Sequence, residues 1–192
     1  DYKDLTEEKF KKFTIAHIGG LYGLRNADVF FQAVNKLKKI LGNFELQILF
    51  VGPTSDKIKE AVDTFQLNRE VKFISRVPHK KALEIMHRSH LLLLVKATVE
   101  EGLGQIPAKF FEYLGAKKQI ICIANKQSEV AHLVRETNVG ITVEKEPNEL
   151  VDFLLSTYKK HLDGEKDLSK SQDMKIFDLS QMAIKVKRLL EI

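Results

Sequence analysis

The sequence predicts an α/β fold, a Rossmann-like three-layer sandwich built on a parallel sheet of about six strands. Two observations carry this. Short apolar runs alternate with amphipathic stretches along most of the chain, and strands alternating with helices join through right-handed crossovers into a parallel sheet covered on both faces. The runs are also apolar throughout, as in Leu91-Leu92-Leu93-Leu94-Val95. Continuous apolarity marks a strand buried on both sides rather than one.

Each element follows from local pattern. Phe13 to Ile18 is a buried strand ending at Gly19-Gly20. Asn26 caps a helix whose apolar face is Phe30, Ala33, Val34, Leu37 and Leu41, at three-to-four spacing. Glu45 to Val51 is a strand closed by Gly52-Pro53, and Ser55 to Phe65 a helix. Val71 to Ile74 is a strand, followed after Pro78 by a helix over Lys80 to His87. Beyond Leu91–Val95 comes a polar loop, Lys96 to Gly104, then a short helix in Gln105 to Ala116 and a strand over Gln119 to Ala124. Phe110, Phe111 and Leu114 are expected to pack that short helix inward. Gln127 to Glu136 is a helix, Gly140 to Val143 a strand and Asn148 to His161 a helix; Asp163 to Asp173 is polar and predicts a loop. Asp178 and Gln181 suit a capping box for a last helix over about 178–191. Residues 1–12 form a lead-in or linker, and 13–192 one domain.

Composition narrows the function. The chain has 192 residues, 44% hydrophobic and 30% charged, which is ample for one soluble domain with a sizeable core. Its net charge is +5, and the lysines fall in scattered pairs. They make solvated helix faces and no basic stripe, so nucleic acid is not an expected partner. The single cysteine, Cys122, lies in an apolar run; no intramolecular disulfide can form, which suits a reducing compartment. No stretch is long enough to span a bilayer. The chain opens at Asp1 and is expected to be a piece of a longer protein.

Three clusters that could carry chemistry fall at carboxyl ends of predicted strands, where open α/β sheets bind ligands. The first is Gly19-Gly20-Leu21-Tyr22-Gly23-Leu24-Arg25. Small residues let backbone amides approach an anion, the helix start adds positive potential, and Arg25 can pair with phosphate. Alone, this would read as an ordinary strand-to-helix turn. The second is Arg76-Val77-Pro78-His79, where a flat base could lie against Val77. The third is Glu100-Glu101-Gly102-Leu103-Gly104 together with Lys109 and Glu112. A carboxylate and an amine beside a glycine loop suit a ligand with hydroxyls and phosphates. The competing reading is a surface ion pair, since Lys109 and Glu112 are one turn apart.

Several chemistries lack their motifs. The chain has no Gly-x-x-x-x-Gly-Lys-Ser/Thr phosphate loop, no Gly-x-Gly-x-x-Gly after the first strand, no Asp-x-Asp and no Gly-x-Ser-x-Gly. The six histidines show no paired metal spacing, and His90, at the start of an apolar run, suits a structural role.

In this order the clusters resemble the C-terminal, nucleotide-sugar-binding domain of retaining glycosyltransferases of family four, one half of a GT-B fold. The strongest pieces are HIGGLYGLRNADVFFQAV and IPAKFFEYLGAKKQIICIANKQSEVAHLVRETNVGITV, and the resemblance covers about Phe13 to Ile192. It implies that Glu112 binds the ribose hydroxyls and that Gly19, Gly20 and Arg25 hold the diphosphate. Arg76, Val77 and Pro78 would contact the base, and Glu101, Gly102, Leu103 and Gly104 the donor sugar. Glu101, Arg25 and Lys109 would form the catalytic set. Two departures stand out. Gly20 occupies about the place of a family arginine, so one phosphate cation is either missing or supplied elsewhere, with Lys109 the candidate. Ten residues separate Glu101 from Glu112, more than in the family, so either the loop carries an insertion or Glu101 is not the counterpart.

The resemblance further implies a nucleotide-diphospho-sugar as substrate, no cofactor and no metal ion. It also implies a separate N-terminal acceptor domain of the same full-length protein, and a cytoplasmic setting with peripheral contact at the inner face of the membrane. An epimerase or phosphorylase on the same fold, or a non-catalytic Rossmann-like interaction module, are the alternatives.

Overall fold

The computed structural model describes residues 8–42, 44–97 and 103–164. Within the described residues twelve elements alternate strictly: β1 (Phe13–Ile18), α1 (Asp28–Leu41), β2 (Leu46–Val51), α2 (Asp56–Thr64), β3 (Val71–Ile74), α3 (His79–Arg88), β4 (Leu91–Val95), α4 (Ala108–Gly115), β5 (Gln119–Ile123), α5 (Glu129–Thr137), β6 (Gly140–Val143) and α6 (Asn148–Leu162). The six strands form one parallel sheet in the order β3-β2-β1-β4-β5-β6. This agrees with the predicted architecture. The last helix expected over about 178–191 lies outside the described residues.

Alternation along the strands sorts the core into two layers. Phe13 and Ile15 of β1, with Leu91, Leu93 and Val95 of β4, face one cluster that is closed by α1, α2 and α6. Ala16 and Ile18, with Leu92 and Leu94, face the other, closed by α3, α4 and α5. Burial on both sides is why these strands carry almost no polar residues. Cys122 lies within the second cluster, where burial pushes its thiol pKa up to about 12 and leaves it inert. The lead-in also touches this layer: Phe10 donates its amide to the Arg88 carbonyl and lies under the Arg88 guanidinium.

Two local expectations are corrected. Phe111 is 42% exposed, and Tyr113 is buried in its stead beside Phe110 and Leu114. Residues 110, 113 and 114 share one helical face, whereas 111 points about 100° away. Asn26 precedes the boundary residue Ala27; its Oδ1 accepts the Asp28 amide at 2.6 Å, two residues on. It therefore turns the chain into α1 without occupying the cap position itself. His90 is structural as expected, with Nδ1 accepting the Thr14 amide at 2.9 Å.

Candidate nucleotide-binding site

The chain reverses direction across the sheet between β1 and β4, and a crevice opens at such a switch point. The ladders show how. β1 pairs with β2 over six residues, but with β4 only at Ile15–Leu91 and Ala16–Leu92. Beyond those pairs the two strands part, and side chains take up the freed backbone groups. The Leu93 carbonyl accepts from His17 Nδ1 at 2.9 Å and from the Tyr113 hydroxyl at 3.3 Å, while the Ile18 amide donates to Tyr113 Oη at 3.0 Å. Tyr113 thus fastens α4 to both lips of the split. The cleft above it has a volume of about 700 Å³, within the range of small-molecule sites.

Tyr113→Phe removes the hydroxyl but keeps the ring, leaving the buried Ile18 amide unpaired. A stability loss of about 1–3 kcal/mol is expected, readable as a lower urea midpoint with an unchanged slope.

Main-chain bonds hold the β1–α1 loop on one side of the cleft. Gly19 N donates to the Val51 carbonyl at 2.6 Å, Leu21 N to that of Pro53 at 2.8 Å, and Ser55 N to that of Leu21 at 3.0 Å. Leu21 is fully buried and pins the loop, while Tyr22 and Leu24 stand 54% and 70% exposed at its tip. Gly52 has φ +126°, and a Cβ there would lie 2.7 Å from the Gly19 carbonyl oxygen. The two loops touch backbone to backbone because neither has a side chain at that point.

The glycines of the first cluster make room for specific neighbours. The end of the Lys109 side chain, Cε and Nζ, occupies the space a Gly19 Cβ would need. The Tyr22 ring does the same at Gly20, and the Arg25 guanidinium carbon lies 5.5 Å from that ring's centroid. Lys109, from the first turn of α4, therefore reaches across to the loop that carries Arg25. Gly20, Arg25, Lys109 and Glu112 all line the cleft. Where the sequence shows no second basic residue in the glycine loop, the fold brings one from α4.

Other predicted residues do not join them. Arg76, Val77 and Pro78 follow β3 at the same carboxyl edge, two strands from β1, and do not line this cleft. Glu101 and Gly102, with the neighbouring Glu100, lie outside the described residues. Leu103 and Gly104 stand beside the cleft without lining it; the Leu103 carbonyl accepts the Glu129 amide at 3.0 Å and Lys96 Nζ at 3.4 Å.

Two titratable lining residues lie outside the clusters singled out in the sequence. His17 is 2% exposed, and its pKa is lowered to about 4, first by burial and then by the charges of Lys109 and Arg25. Lys96 is buried directly after β4, where its ammonium donates to the Leu103 and Gln105 carbonyls. Burial lowers its pKa, with Cys122 and Glu129 acting the other way. The ammonium ties down the loop ahead of α4. A titratable residue inside an otherwise apolar strand, or at its last step, was the available signal for His17 and Lys96. Among the described residues, no group of three or more His, Cys, Asp or Glu is placed to hold a metal ion, and no helix is long and apolar enough to cross a membrane.

Known structures share this architecture. HepE of Anabaena, solved in complex with UDP, superposes with a TM-score of 0.61 at 14% identity, over 94% of this chain and 49% of that one. WaaG, a glycosyltransferase involved in lipopolysaccharide biosynthesis, gives 0.61 at 17% identity, over 89% and 47%. The C-terminal domain of LpcC, a glycosyl transferase group 1 family protein from Francisella tularensis, gives 0.59 at 16% identity, over 95% and 88%. The chain thus spans about half the length of HepE and WaaG, and most of the isolated LpcC domain. No curated protein sequence matches it. The sequence pattern of one family, glycosyl transferases group 1, matches residues 3–171. With that match across most of the chain and the Rossmann-like half of a GT-B architecture beneath it, the protein belongs to the glycosyl transferases group 1 family.

Proposed function

We propose that this chain is the donor-binding half of a glycosyltransferase and that its cleft takes a nucleoside diphosphate sugar, with a uridine nucleotide as the first candidate. One observation carries the reading: Lys109 lies over Gly19 at the switch-point cleft, with Arg25 and Glu112 lining the same cleft. Two cations beside a glycine turn match a diphosphate, and a carboxylate one turn along α4 matches a pair of ribose hydroxyls. The UDP bound by HepE and by the pneumococcal O-GlcNAc transferase GtfA, both built on this fold, supports the choice of base.

The chemistry proposed is electrostatic. Breaking the bond between sugar and diphosphate leaves an oxocarbenium-like sugar and a growing negative charge on the leaving group. Arg25, Lys109 and the amides of the glycine turn would stabilise that charge in place, without needing a metal ion. Preorganised donors of this kind are worth about 2.7–4 kcal/mol each in a protease oxyanion hole. Retention of configuration belongs to the same reading. So does an acceptor held by an N-terminal domain, so that this half binds donor but transfers sugar poorly alone.

Calorimetric titration with UDP, GDP and ADP, wild type beside Glu112→Ala, tests the site. Loss of charge-assisted hydrogen bonds to the ribose at about 1.5–3 kcal/mol each should weaken the preferred nucleotide on the order of a hundredfold. Equal affinity in the variant would remove Glu112 from the site. Efficient sugar transfer by the 192 residues alone would refute the half-enzyme reading.

A further inference from the structure

One buried nitrogen in the wall of the cleft has nothing to bond. The Leu93 carbonyl can only accept, so the proton of His17 sits on Nδ1, and in the neutral ring Nε2 is a bare acceptor. That Nε2 is buried and has no hydrogen-bond partner. Buried polar atoms are normally paired, and an unpaired one calls for an explanation.

The groups around the ring supply it. Arg25 of the β1–α1 loop and Lys109 of α4 line the same cleft as His17, and both positive charges oppose its protonation. Glu112 and the Tyr113 hydroxyl come from the same helix, and Lys96 from the end of β4. β2 contributes the uncharged Phe50 ring, 6.1 Å away. Loss of water is the largest force holding the ring neutral, and the two cations add to it. Hydrogen bonding of Nδ1 to the Leu93 backbone pulls the other way and favours the imidazolium. Part of the balance is therefore set by charges that a bound phosphate would itself neutralise.

We propose that His17 is a proton-accepting part of the phosphate site: neutral in the empty cleft, it takes up one proton at Nε2 when a nucleoside diphosphate docks. The proton comes from solvent, the Nδ1–H bond to Leu93 is kept, and no bond in the nucleotide changes. The imidazolium then adds a third positive charge near the leaving group. The inference rests on the donor-site reading above. Its ligand class is narrow, because only a multiply charged anion between Arg25 and Lys109 reverses the local field; the nucleoside uridine does not.

The sign follows from linkage. Binding raises the proton affinity of His17, so its contribution to UDP affinity is full at low pH and fades as pH rises through the bound-state value. Opposite charge within a few ångströms moves a pKa by about 1–3 units, which brings the bound ring into the range of pH 5 to 7. The measurement is titration calorimetry of the full chain with UDP at pH 5, 5.5, 6.5 and 7.5, in buffers of different ionisation heat, which counts protons taken up. His17→Asn keeps a donor for Leu93 without a titrating ring, and His17→Gln is the second variant. Titration of the nucleotide's own phosphate is common to all three proteins and cancels in the difference.

At pH 5.5 the wild type should take up about half a proton more than either variant, and almost none more at pH 7.5. Its UDP affinity should rise relative to theirs by roughly fivefold between pH 7.5 and 5. Equal proton counts overturn the proposal. If neither variant folds, the ¹⁵N spectrum of the wild-type imidazole decides: Nε2 protonates on adding UDP and not on adding uridine, or the proposal fails. Absence of UDP binding to wild type at every pH would remove the donor-site reading, and this inference with it.

Discussion

Replacing Gly140 by alanine is expected to cost about 4 kcal/mol or more, a large share of the stability of an ordinary domain. Gly140 opens β6 and stands opposite Ile120 of β5. A Cβ there would overlap the Ile120 carbonyl oxygen and lie 2.7 Å from its carbonyl carbon and amide nitrogen. No side chain can rotate out of the way, because the obstacle is main chain. The alternatives are to lose the β5–β6 ladder or to shift β5, and β5 packs against β4 over five residues. Chemical denaturation followed by circular dichroism reads the effect. A cooperative transition within about 1 kcal/mol of wild type would mean that the two strands are farther apart than described.

Acidification should destabilise the empty protein through His17 by on the order of 3 kcal/mol between pH 6.5 and 4. The ordinary histidine value of 6.5 applies to the unfolded chain, and burial first, then Lys109 and Arg25, lower it to about 4 in the fold. Below pH 6.5 the unfolded chain therefore binds a proton that the folded chain refuses. Stability is undiminished above 6.5 and is lost progressively as pH falls toward 4. His161, lowered by partial burial, acts in the same direction. Urea midpoints at half-unit steps of pH should fall steeply over this window for wild type and more gently for His17→Asn. Parallel curves would show that His17 ionises freely in the fold.

The strand-and-helix order was legible because it depends on chain-local properties. Doubly buried strands must be apolar, and helices facing one layer must be amphipathic, so Phe13–Ile18 and Leu91–Val95 announce themselves. Phase within a short helix is harder. In Lys109-Phe110-Phe111-Glu112-Tyr113-Leu114 three aromatics compete for one face, and the choice of Tyr113 over Phe111 is made by Ile18 and Leu93, which offer its hydroxyl two partners. Gly19, Gly20, Arg25 and Glu112 were legible for their residue types beside strand ends, and Lys109 as a cation one turn before a carboxylate. The contact between Lys109 and Gly19 spans ninety positions of sequence and exists only once β1 and β4 lie side by side. His17 and Lys96 were hidden for a related reason. A polar residue in an apolar run gives no hint of whether it meets a carbonyl, a cation or a cavity.

The burial of Leu21 reaches further than packing. Because that one side chain is sunk in the core and its amide and carbonyl are tied to Pro53 and Ser55, the turn that would meet the phosphates is assembled before any ligand arrives. A loop that must order itself on binding gives up about 1–2 kcal/mol per residue in lost backbone freedom. Here that loss falls in folding and is already met by the core. Under the donor-site reading, more of the attraction between loop and nucleotide then remains to stabilise the departing diphosphate than to organise the protein around it.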